Sequence, residues 1–203
     1  MTPLSAPHIS ATGRQTDIAA LFDVDNTLLP GQASEVRFFR FLWKRGLVGW
    51  REVRDSIHWV LRCAPPVSLH PLRERKLYLA GKGAAEVEAL AEEFCRTELC
   101  PRLSAQGLSR MDEHRRAGHH IVLVTGSLDF LIAPLAALLE VPTLLAARLE
   151  QQERQFTGQV CAPLPYGPGK RELIARLTRD SGIDLAQSFA YGDSPGDVEL
   201  LEM

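Results

Sequence analysis

The stretch Ile18–Thr27, IAALFDVDNT, decides how the rest of the chain is read. An unbroken apolar run from Ile18 to Phe22 stops abruptly at Asp23-Val24-Asp25-Asn26-Thr27. A short continuous apolar run suits a strand buried on both faces, as strands of parallel sheets are. Ligands of such open sheets bind beyond the carboxyl ends of the strands, which is where the two acids fall. At a strand end, where the chain turns, both carboxylates can be aimed at one small volume. Like charges held close repel. A divalent cation removes that penalty, and hard oxygen ligands select Mg²⁺. The plainer alternative is a surface turn rich in Asp and Asn.

Working outward, further strands are expected at Ile121–Val124 (IVLV, ending in TGS), at Thr143–Ala147, and at Ser188–Tyr191 (SFAY, ending in GDSPGD). Helical patterns lie between them: Ser104–Ala117 with Gly118 as its stop, Leu128–Leu139, and Lys170–Asp180 with Gly182 beyond its end. Strand alternating with helix predicts an α/β fold, a Rossmann-like parallel sheet covered on both faces. A hairpin is expected over Leu149–Val160, with a bulge or turn at Thr157-Gly158, and a Pro/Gly-rich loop, Pro163–Gly169, leads to Lys170.

Residues 33–100 differ, with no convincing strand. Ser34 reads as the cap of a helix whose apolar face includes Val36, Phe39, Leu42 and Trp43. Trp50–Leu61 repeats the pattern through Val53, Ile57, Val60 and Leu61, and Ala84–Leu99 makes a third helix. The reading is a helical cap inserted into a discontinuous core of residues 18–32 and 101–203, behind a disordered leader of residues 1–17. Phe38, Phe41, Trp43, Trp50 and Trp59 are expected mostly in its core. The insert is rich in Arg and Lys, Arg73 and Lys76 among them. Most read as solvated faces, with one or two free to meet a substrate carboxylate or second phosphate.

Bulk properties exclude more than they select. The 203 residues are 45% hydrophobic and 24% charged, with a formal net charge of −2. No whole-protein field points to nucleic acid or an anionic membrane, and no apolar run is long enough to span a bilayer. Cys63, Cys95, Cys100 and Cys161 form no CxxC pair and read as free thiols of a cytoplasmic protein. The oligomeric state stays open.

Besides DVDNT, polar clusters at two more strand ends, and Lys170 at the head of a helix, carry the chemistry. Thr125-Gly126-Ser127 reads as an anion site of hydroxyl and backbone N–H groups, or as an ordinary turn. Lys170 is placed to neutralise a phosphate and clustered carboxylates, or is a solvated lysine. Asp193 and Asp197 of GDSPGD complete a cation site, or Asp197 favours a helix N-terminus.

DVDNT, TGS, Lys170 and GDSPGD, in that order, resemble motifs I to IV of the haloacid dehalogenase superfamily. The helical insert is similar to the C1-cap subgroup that includes phosphoserine phosphatase. The resemblance implies a Mg²⁺-dependent phosphatase acting on a small phosphorylated metabolite. Asp23 would be the nucleophile and Asp25 the acid and base. Asp23, the backbone carbonyl of Asp25, and Asp193 would hold Mg²⁺, with Asp197 supporting them. Thr125, Gly126 and Lys170 would bind the phosphoryl oxygens. A phosphotransferase of the same fold and a catalytically silent phosphate-binding protein are the alternatives. Phosphoserine phosphatases carry a Glu nine residues after the nucleophile; here that position is Gln32 and the nearest acid is Glu35, which argues against phosphoserine. Gly196 replaces an Asn of many relatives. The sequence ends at Met203, whereas relatives continue with a strand beside SFAY. Further chain, or a partner, is expected to cover that edge.

Overall fold

The computed structural model describes residues 17–63 and 71–192. The first apolar run forms β1 (Ala19–Phe22), buried throughout. It lies inside a four-stranded sheet of order β3-β2-β1-β6, with β2 at His120–Leu128, β3 at Thr143–Ala147 and β6 at Phe189–Tyr191. Every pairing in it is parallel, so the expected α/β sheet is present. Strand alternation divides β1 between two cores. Ala19 and Leu21 pack with Val122, Val124 and Ile174, on the side of α7 (Pro168–Ser181). Ala20 and Phe22 join Leu123, Met111 and Leu131 on the side of α5 (Ala105–Arg116) and α6 (Asp129–Leu138). Ser104 caps α5, its hydroxyl accepting from the Gly107 N–H at 3.1 Å. Gly182 ends α7 at φ 73°, a left-handed stop that glycine adopts without strain.

β2 runs further than expected. It continues through TGS to Leu128, and its pairing with β3 slips between Val124 and Leu128. Gly126, with no side chain to pack, allows that irregularity. β6 pairs with β1 and is the sheet's edge among the described residues. Of the expected leader, residues 1–16 lie outside the described residues, while the Asp17 carbonyl accepts from the Asp184 N–H at 2.7 Å.

The chain between β1 and β2 forms α1 (Ser34–Lys44), α2 (Trp50–Cys63), the single turn α3 (Pro71–Glu74) and α4 (Ala84–Phe94). Ser34 is not the cap of α1 but its first helical residue; Ala33 takes the cap position without a side-chain bond. α4 stops before Leu99: Cys95–Leu99 widens into a π-type turn, because Pro101 gives no N–H and crowds the carbonyl four residues back. Phe38 and Leu42 are fully buried, but Trp50, expected in the core, is 77% exposed, edge-on to Trp43 with ring centroids 5.2 Å apart. Phe41, Trp43 and Trp59 are half-buried. Val36, Ile57 and Leu61 are also exposed. The apolar stripe of α2 exists as its periodicity predicts, with Val60 buried and Ile57 and Leu61 left exposed.

β4 (Leu149–Gln152) and β5 (Gln155–Val160) form the expected hairpin, turning through Glu153 and Arg154 at φ 50° and 65°. It is joined to the insert. Isolated bridges pair Arg75 with Gln159 and Gly83 with Gln155, and the Lys76 N–H donates to the Gly158 carbonyl at 2.7 Å. Gly158 lies at φ 83°, and a Cβ there would sit 3.2 Å from the Lys76 carbonyl oxygen. Only glycine suits that close approach, which sets the position of Lys76.

Candidate active site

Asp23 is the first residue beyond β1. Its N–H donates to the Tyr191 carbonyl at 2.8 Å, so the end of β6 helps to fix it. Its Oδ1 accepts from Lys170 Nζ at 3.0 Å, and the two residues are only 7% and 2% exposed. Lys170 is therefore not a solvated lysine. Burying two charges is tolerable only when each compensates the other. The lysine is held in place by Gly169, where a Cβ would lie 1.9 Å from the Leu164 carbonyl oxygen. The loop before α7 thus folds tightly onto the helix start, and any side chain at position 169 would push Lys170 away.

Asp25 is returned to the same pocket by a tight loop. The N–H groups of Leu28 and Leu29 donate to the Val24 carbonyl at 3.0 and 2.9 Å, and Asn26 adopts φ 63°, which asparagine tolerates better than most residues. The Asp25 carboxylate is clasped from two sides. Its Oδ1 accepts from the Ser34 N–H at 2.7 Å and the Ser34 hydroxyl at 2.5 Å; its Oδ2 accepts from the Ser127 hydroxyl at 2.8 Å. Sequence reasoning put Ser127 within the TGS anion site but gave neither serine a contact with Asp25. Ser127 was within reach as the last residue of TGS; Ser34 gave no signal beyond its place at a helix start.

Thr125 is buried, and its Oγ1 accepts from the Ser127 N–H at 3.1 Å. A cavity of about 340 Å³ brings together Asp23, Asp25, Thr125, Gly126 and Lys170. Every candidate within the described residues thus meets at one hollow. Asp193 and Asp197 lie outside the described residues, and so does Gly196. Among the described residues, no group of three metal-ligating acidic, His or Cys side chains occurs.

The insert supplies the other wall of this cavity: Glu35, Arg73 and Lys76. Lys76 is buried and pairs with Glu35 at 2.7 Å, so this member of the basic series is not on a solvated face. The Tyr78 hydroxyl donates to Glu35 at 3.2 Å; burial, reinforced by the Glu35 charge, holds the phenol pKa well above its ordinary value. Arg73 stacks over the Tyr166 ring at 3.5 Å, a cation–π contact linking the insert to the loop before α7. Gln32 is exposed, its Oε1 accepting from Arg40 at 2.5 Å. Glu35, not Gln32, is the acid-side residue that reaches the cavity.

Hard oxygen donors, a buried lysine and exposed backbone at Gly126 suit a phosphate beside a divalent cation. Comparison with known proteins gives the family. The family model of haloacid dehalogenase-like hydrolases matches residues 20–202. A probable phosphatase of Mycobacterium tuberculosis is 28% identical over 206 residues, covering 99% of this chain and 70% of that protein. A crystal structure of a Bordetella pertussis protein of unknown function superposes with a TM-score of 0.74 at 30% identity, covering 91% of this chain and 85% of the other. A phosphoserine phosphatase solved as a phospho-aspartyl intermediate analogue shares the fold, with a TM-score of 0.58 at 18% identity, covering 90% and 81% of the two chains. From the motifs at the strand ends to the match across nearly its whole length, this chain belongs to the haloacid dehalogenase-like hydrolase family.

Proposed function

We propose that this chain is a Mg²⁺-dependent phosphomonoester hydrolase that acts on a small phosphorylated metabolite through an aspartyl-phosphate on Asp23. The observation that carries the reading is the buried Asp23–Lys170 pair at 3.0 Å, with Asp25 clasped at the rim of the same cavity.

In the first step a carboxylate oxygen of Asp23 attacks phosphorus, and the bond from phosphorus to the ester oxygen breaks. The acid form of Asp25 gives its proton to that leaving oxygen, releasing an alcohol. In the second step Asp25, now a carboxylate, takes a proton from water. The water oxygen bonds to phosphorus, the Asp23–phosphorus bond breaks, and inorganic phosphate leaves. Thr125, the Gly126 N–H and Lys170 hold the transferring oxygens, which is where phosphoryl transfer gains most from a protein. Mg²⁺ would be held by Asp23, the Asp25 carbonyl and Asp193, with Asp197 behind them, and supplies charge neutralisation for nucleophile and phosphate alike. The hard oxygen chemistry of these donors supports that ion, as does the bond from Asp23 to Tyr191, two residues before Asp193. Residues 33–100 act as a cap over a core of residues 18–32 and 101–203, excluding water from the first step. No helix among the described residues is long and apolar enough to cross a membrane. We place the activity in the cytoplasm, with neither nucleic acid nor membrane as partner.

A panel of phosphorylated metabolites assayed for inorganic phosphate, with Mg²⁺ and with EDTA, tests this. Release that needs Mg²⁺ and is lost in Asp23→Asn is the expected result. Equal, near-zero turnover of the whole panel with Mg²⁺ present would overturn it.

A further inference from the structure

We infer that the phosphomonoester taken by this site carries an extended apolar chain, and that this chain lies in a groove of the insert that opens from the catalytic cavity; the inference rests on the phosphatase reading above. The groove encloses about 740 Å³, against about 340 Å³ for the cavity holding Asp23 and Lys170. Val36 from α1 and Ile57, Val60 and Leu61 from α2 form its walls. Ala33, Glu35, Arg73 and Lys76 line both hollows, so the two adjoin along these residues. From cavity to groove a ligand meets buried charge at Asp23 and Lys170, then a polar neck of Glu35, Lys76 and Arg73, then hydrocarbon. That is the order of groups in an amphiphile: phosphate, polar or ionic linker, apolar tail.

A substrate the size of a phosphorylated amino acid would fill the first cavity and leave the second empty. Yet Ile57 and Leu61, one turn apart on α2, are 55% and 64% exposed and continue a shared apolar wall. Contiguous apolar surface lining a groove beside a polar site is the form that ligand-binding grooves take. Ligand pockets of this volume are usually apolar, with a few polar groups fixing orientation, as the neck does here. Adjacency to the cavity holding Asp23 and Lys170 favours a substrate's own tail over a second copy of the chain.

The test is a chain-length series on the full chain with Mg²⁺. Dissociation constants of ethyl, butyl, hexyl and octyl phosphonate, which cannot be hydrolysed, are measured by calorimetry below micelle-forming concentrations. Phosphate release from the matching alkyl phosphates is followed in parallel. The dissociation constant falls by about fourfold per methylene, and KM falls with it. Ile57→Asp, at an exposed position, flattens the series, while Leu138→Asp, equally exposed on α6 but outside the groove, keeps it. A flat wild-type series, or a slope that survives Ile57→Asp, with short esters still hydrolysed, overturns the tail and spares the phosphatase reading. A steep binding series without phosphate release at any length overturns the phosphatase reading and leaves the groove as an amphiphile site. A dimer that Ile57→Asp dissociates, together with a flat series, assigns the groove to a second copy and overturns the inference.

Discussion

In the catalytic cavity the charged residues Asp23 and Lys170 are almost sealed from solvent, whereas in the adjoining groove Ile57 and Leu61 stand mostly in water. Folding alone would arrange both the other way round. On the proposed reading each hollow awaits a ligand: a phosphate beside Lys170, and hydrocarbon against the exposed apolar walls. The contrast also separates two kinds of constraint. The cavity tolerates almost no change, because its charges compensate one another. The groove should tolerate polar substitution without unfolding.

The largest expected effect breaks the cavity side. Asp23→Asn keeps an oxygen for Lys170 to bond but loses the nucleophile, so kcat falls by at least about 10⁴-fold, and no acid-stable phosphoprotein forms on trapping with labelled substrate. Lys170→Met removes a donor to the transferring oxygens and leaves Asp23 buried without its cation. It lowers kcat by about 10²- to 10³-fold, and costs about 3–5 kcal/mol in stability, read by denaturant titration. Ser127→Ala sharpens the picture one layer out. It deletes one of the three hydrogen bonds recorded on the Asp25 carboxylate, and should lower kcat about tenfold with little change in KM.

His114 is a buried polar group outside both hollows, and tests whether burial alone gives a cavity-like sensitivity. Its ring nitrogens lie 2.8 Å from His119 Nδ1 and 2.7 Å from the Tyr191 hydroxyl. Burial lowers its pKa below the ordinary 6.5; His119 and Arg110 push the same way, and Glu113 opposes them. As pH falls through about 6.5 the unfolded chain takes up this proton before the folded one does, so stability drops until the folded value is passed. Melting temperatures between pH 8 and pH 5 should fall less steeply in His114→Gln than in the parent. The smallest effect belongs to the groove: Leu61→Lys should change stability by no more than about 0.5 kcal/mol, against about 3–5 kcal/mol for Phe38→Ala in the buried core of the insert.

What the sequence revealed follows the same division. β1, TGS and the hairpin over Leu149–Val160 are local patterns legible within a few positions, whereas Lys170 stood open to a solvated reading. The clasp on Asp25 joins residues 9 and 102 positions away, and the Glu35–Lys76 pair spans 41. Nothing local distinguishes Ser34 from a helix cap or Lys76 from a solvated lysine. The exposure of Trp50, Ile57 and Leu61 was hidden for a different reason. Periodicity reports that a helix has an apolar stripe but is silent on whether anything covers it. Asp193 and Asp197 lie outside the described residues, so the cation site rests there on the motif alone.

The grip on Asp25 ties the insert to the residue proposed as acid and base. Ser34 begins the first helix of the insert, and two of the three hydrogen bonds recorded on this carboxylate come from it. Lifting that helix breaks both at once and frees the side chain to turn. If the insert lifts as the proposed cap, Asp25 would keep only its bond to Ser127, so the proposed proton transfer and shelter would be linked.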